Sequence, residues 1–128
     1  MTIEVTDSST IEEIREMFSR NFPFLSLEFF DEPHCWQETS SFSYLLPRSK
    51  KIGELRTLHN TGILEIMPWQ KTAAVELAFA GIFGLYVQVF RLQGNQWIET
   101  AGTAGYTLQQ QNEIGSNASG ATAAACYC

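Results

Sequence analysis

Histidine and cysteine are scarce in this chain, at two and three copies, and neither falls in a spacing that makes a catalytic or metal centre. Cys35, Cys126 and Cys128 are an odd, sparse set, which fits reduced thiols better than a disulfide framework. Basic residues are also few. Eight Lys plus Arg face fourteen Asp plus Glu, a formal charge of −6 that excludes a broad phosphate-facing surface, so nucleic acid is not an expected partner. The one basic cluster, Arg48, Lys50, Lys51 and Arg56, has no interleaved aromatic side chains and reads as a solvated loop. No Ser stands in a G-x-S-x-G elbow, no glycine-rich run leads from a strand into a helix, and Glu12, Glu13 and Glu16 read as exposed helix positions. No catalytic residue, cofactor or metal ligand is therefore assigned. The first seven residues lack the basic and apolar regions of a signal peptide, which makes a cytoplasmic location the default expectation.

Three weaker features set the remaining bounds. Thr72 to Phe90 is almost wholly apolar, but Gly81 and Gly84 divide it, Glu76 interrupts it, and Leu85, Val87 and Val89 alternate like a strand, so no membrane span is expected. Asp31, Glu32, His34, Cys35, Glu38 and His59 include the common metal-ligand types without a recognised spacing, and read as a polar loop. Cys126-Tyr127-Cys128 could chelate a soft metal, cross-link or accept a lipid, yet it lies in a stretch expected to be a disordered end.

What the chain does contain is apolar material for one core. A 45% hydrophobic share in 128 residues is enough for one domain and too little for two. That domain is expected over 1–115, followed by a Gly-, Ala-, Ser- and Thr-rich flexible tail over 116–128.

Laying residues 3–30 over 64–91 at an offset of 61 aligns Ile3-Glu4-Val5 with Leu64-Glu65-Ile66, Ile14 with Val75, Phe18 with Phe79, Phe22 with Phe83 and Phe29 with Phe90, without a gap. Each copy, 2–30 and 63–91, reads as a strand, a helix with an apolar residue every fourth position, and a second strand. Ser8, Ser9 and Thr10 offer N-cap hydroxyls, Glu12 and Glu13 suit the positive end of the helix dipole, and Pro23 stops the helix. In the second copy Thr72 is the expected N-cap and Gly84 the stop. Gln93-Gly94-Asn95-Gln96 then turns into a strand at Trp97 to Ala101, and Thr107 to Ile114 forms a short helix ended by Gly115. These elements predict an α+β fold, a ferredoxin-like βαββαβ sandwich with an extra C-terminal strand and short helix, whose central neighbours are strands 3–6 and 63–67. A β-grasp-like arrangement is the alternative.

The two helices differ on their outward faces. Glu12, Glu13, Glu16, Ser19 and Arg20 of the first correspond to Ala73, Ala74, Leu77, Ala80 and Gly81 of the second. A charged face has become a smooth apolar one, which marks either a protein or homo-oligomer interface or a surface covered by the chain's own C-terminal segment, Tyr106 to Asn112 or the tail.

Gly94, Asn95, Trp97, Glu99 and Thr100, followed by Thr107, Leu108, Gln111 and Asn112, resemble the pattern of a family of small uncharacterised bacterial proteins with two βαβ units. That resemblance implies the two-unit layout and no activity. Thr2-Ile3-Glu4-Val5, the Thr10-capped helix, Leu25 to Phe30 and Gly62-Ile63-Leu64-Glu65-Ile66 also resemble, in order, a ubiquitin-like β-grasp module, which would imply a modifier or carrier acting through its tail. A non-enzymatic interaction or assembly subunit is the first functional expectation. A ubiquitin-like modifier is the second, and a small enzyme or metal-binding protein the third.

Overall fold

A computed structural model describes residues 1–30, 46–55 and 60–125. In chain order these form β1 (Thr2–Val5), α1 (Ile11–Asn21), β2 (Leu25–Phe30), a 3-10 turn (Ile52–Glu54) and β3 (Gly62–Glu65). They continue with α2 (Thr72–Ala78), which widens into a π turn over Phe79–Phe83, then β4 (Tyr86–Gln93), β5 (Gln96–Glu99), a 3-10 turn (Ala101–Thr103) and α3 (Leu108–Ala125). The loop ligands Asp31, Glu32, His34, Cys35, Glu38 and His59, together with Cys126 and Cys128, lie outside the described residues.

Helix α1 forms for local reasons. The Thr10 hydroxyl accepts the Glu13 N–H at 3.2 Å, acidic Glu12 and Glu13 occupy the first turn, and Ile11, Ile14 and Phe18 bury one stripe. Helix α2 is capped from a distance. Thr72 is not its N-cap, as expected, but its first residue. The Thr72 N–H and hydroxyl both donate to the Tyr106 carbonyl, and the Ala73 N–H donates to Ala104, so backbone from the chain's later part satisfies the orphan groups. Gly84 ends the helix in the left-handed region at φ 66°, as its position predicts.

The fold is α+β, with strands in two antiparallel sheets: a β1–β3 ribbon and a β2–β4–β5 sheet. The expected neighbours β1 and β3 do pair, with Ile3 opposite Leu64. The expected four-stranded ferredoxin-like sheet does not form among the described residues, because β2 pairs with β4 instead of joining the ribbon. The reason lies in the side-chain pattern. Leu25, Leu27 and Phe29 and their partners Arg91, Val89 and Val87 share one face, and all of these except Arg91 belong to the apolar core.

The repeat also slips once. Phe22 and Phe83 are both buried at the constant offset, but the core-facing residues of the next strands are Leu25, Leu27 and Phe29 in one copy and Leu85, Val87 and Val89 in the other. Phe29 belongs to that core, whereas Phe90 pairs with Ser26 on the opposite face, so the alignment of Phe29 with Phe90 is corrected by one residue.

One apolar core joins the layers. Ile3, Val5, Leu64 and Ile66 meet the sheet's inner face, with Ile14, Phe18, Val75 and Phe79 between, and Phe29 and Phe79 stack edge to face at 6.3 Å. Each such side chain removed from water contributes roughly 1.5–3 kcal/mol. Gly115 does not end α3, which runs on to Ala125 across the stretch expected to be a tail. A Cβ at Gly115 would lie 2.8 Å from the Phe24 Cβ and 3.0 Å from the Leu92 carbonyl oxygen, so this glycine is a close-packing point.

Candidate functional site

The outward face of α2 is where the sequence places its candidate interface. Ala74, Leu77 and Gly81 are exposed, and Ala73 and Ala80 are half-buried. Leu77 is 57% accessible, and Ile82, which sequence reasoning did not include, adds a second large apolar side chain at 47%. The C-terminal segment covers only the beginning of this helix: Ala104 and Tyr106 meet Ala73 and Thr72, and Leu77 stays open. Ile82 was missed because the outward positions compared with α1 end at Gly81; it lies in the widened turn.

The opposite side of α2 carries Glu76, which is 5% exposed. Strand β5 leaves β4 at Thr100, whose N–H donates to the Val89 carbonyl at 3.3 Å while its own carbonyl accepts from Thr103. The Val89 N–H would otherwise be stranded at the end of the ladder. The Glu76 Oε2 accepts it at 2.8 Å, and the Thr100 hydroxyl donates to the Val89 carbonyl at 2.7 Å. Burial pushes the Glu76 carboxyl up to about 7, with the Val89 hydrogen bond opposing the shift. Among the described residues its second oxygen has no hydrogen-bond partner, and the same holds for the buried Gln88 Oε1 and Arg91 Nε. Burial likewise lowers the Arg91 guanidinium, which donates to Gln111 at 2.6 Å and to Gln93 at 3.1 Å.

A cavity of about 440 Å³ on the other side of the sheet is lined by Arg15, Glu28, Arg48, Phe90 and Trp97 among others. Its charges are spent on one another: Glu28 lies 2.7 Å from Arg15 and 3.7 Å from Arg48. Arg15 is further occupied by the Leu27 carbonyl and the Ser26 hydroxyl. No group of three or more His, Cys, Asp or Glu side chains gathers among the described residues, and no helix among them is long and apolar enough to cross a membrane.

Comparisons with family models, with curated proteins and with solved structures find no match to this chain. The site is therefore read from its own geometry.

Proposed function

We propose that this chain is a non-enzymatic interaction or assembly subunit that meets a protein partner through Ala73, Ala74, Leu77, Ala80 and Gly81 of α2. The observation that carries the reading is Leu77, more than half exposed among the small residues Ala73, Ala74, Ala80 and Gly81. Small side chains let a second backbone approach closely, and a large apolar residue among them supplies the buried contact. The two-unit bacterial family resemblance belongs to the same proposal and adds no activity to it. The modifier reading is less supported, because the stretch it needs as a flexible tail is helical to Ala125.

The test compares wild type with Leu77→Glu, in solution mass and in the proteins each retains from the native host's extract. The variant is expected to lose a retained component. An identical mass and an identical retained set overturn the reading.

A further inference from the structure

Met1 and Ile66 exchange hydrogen bonds in both directions, at 3.0 Å and 2.8 Å, which sets the phase of the β1–β3 ladder. Alternation then makes Ile3–Leu64 and Val5–Gly62 the other mutually bonded pairs, so the N–H and C=O groups of Thr2, Glu4, Ile63 and Glu65 point out of the ribbon's two edges. All four residues are exposed. The β1 edge is partly flanked. The Thr6 N–H is taken by the Ser9 hydroxyl, and Ile52 and Gly53 bond to Ser9 and Asp7 just beyond it. The β3 edge has no such neighbour among the described residues, and it carries Ile63, 67% exposed.

An open edge with an apolar side chain on it is a template for another strand. Because β3 is four residues long, its occupant must gain contacts beyond the strand itself. A second copy does so. Antiparallel pairing about a two-fold axis at Leu64 sets Ile63 opposite Glu65 of the second copy, and the reverse, with no like charges opposed. In the same register Asn60 falls opposite Pro68 of the second copy. Asn60 donates to the Ile82 carbonyl at 3.1 Å, and Pro68 precedes Trp69. Ile82 and Trp69, 47% and 67% exposed, lie at opposite ends of β3 within one chain. The two-fold axis brings them together twice across two copies.

We propose that this chain forms an isologous dimer by antiparallel addition of β3 to β3, flanked by Ile82 and Trp69. This surface shares Ile82 with the α2 face but not Leu77, so Leu77→Glu on one side and Ile63→Pro on the other make the two readings fail separately. The experiment measures solution mass over a concentration series, together with amide hydrogen exchange. Wild type is expected to dimerise with rising concentration, and the Ile63 and Glu65 amides to gain protection while those of Thr2 and Glu4 do not. Ile63→Pro removes only an outward N–H that the ribbon does not use, so it is expected to unfold as wild type does and to remain monomeric. Trp69→Ser keeps the edge intact and is expected to raise the dissociation constant at least about tenfold. Leu77→Glu is expected to leave the dimer unchanged. A wild-type chain that stays monomeric up to about 1 mM, or an Ile63→Pro variant that dimerises as well as wild type, overturns the proposal.

Discussion

Arg15 and Glu76 occupy the same position on the two helices, 61 residues apart, and both reach for the backbone edge of a strand. Arg15 donates to the Leu27 carbonyl on the free edge of β2, where the Ser19 hydroxyl and the Leu46 N–H cover the Leu25 and Phe29 carbonyls on either side. Glu76 accepts from the Val89 N–H where β5 runs out. Opposite charges thus complete the two second strands. The difference is in how each charge is held. Arg15 is balanced by Glu28 at 2.7 Å and by Glu12 at 3.5 Å, whereas Glu76 has a backbone dipole and, among the described residues, no cation. A buried edge can be closed by either sign, and the carboxyl held without a cation ties stability to pH.

The comparison can be broken most severely at Arg15. Arg15→Met removes the nearer cation from Glu28, leaving it the more exposed Arg48 at 3.7 Å, and uncovers the Leu27 carbonyl. Urea unfolding is expected to show a loss of about 3–5 kcal/mol, and a loss under about 1 kcal/mol would mean that Arg15 does not close this edge.

Glu76 comes next. Its folded value near 7 lies above the ordinary 4.5, so the folded chain holds this proton more tightly than the unfolded chain does. Stability from this group is fully present below pH 4.5, falls as pH rises to 7, and the loss above that is about 3 kcal/mol. Glu76→Gln keeps an acceptor for Val89 and is expected to flatten this slope, measured by unfolding at pH 5 and pH 8. An unchanged slope would place the titration elsewhere.

The contact of α3 with the units is sharpened by Gly115→Ala, which drives a methyl group against Phe24 of the first unit and the Leu92 carbonyl near the end of β4. Thermal unfolding is expected to register about 1–3 kcal/mol of destabilisation. Leu77→Glu is the smallest effect, within about 0.5 kcal/mol in the same measurement, because an open position forfeits little on becoming charged.

Much of the first unit was legible because its determinants are local. Thr10, Glu12 and the period of Ile14 and Phe18 specify α1 within a few turns of chain, and the pairing of β1 with β3 follows from the likeness of Ile3-Glu4-Val5 to Leu64-Glu65-Ile66. The partner of β2 was not legible, since the single apolar face of Leu25, Leu27 and Phe29 fits several ladders. Gly115 carried the signal of a helix stop, and only the approach of Phe24, far away in sequence, shows it to be a contact. The contrast between the charged face of α1 and the apolar face of α2 is visible in the residues themselves. The exposure of that apolar face depended on where Ala104 and Tyr106 pass, which no spacing reveals.

The Glu76–Val89 bond has one more consequence. A strand ladder ordinarily ends in water or in another strand, and each end can fray by itself. Here the last rung is supplied by a helix, so α2 and the centre of β4 form one mechanical body. The helix that carries the exposed Leu77 is thereby bonded to the middle strand of the sheet directly, with no loop between them.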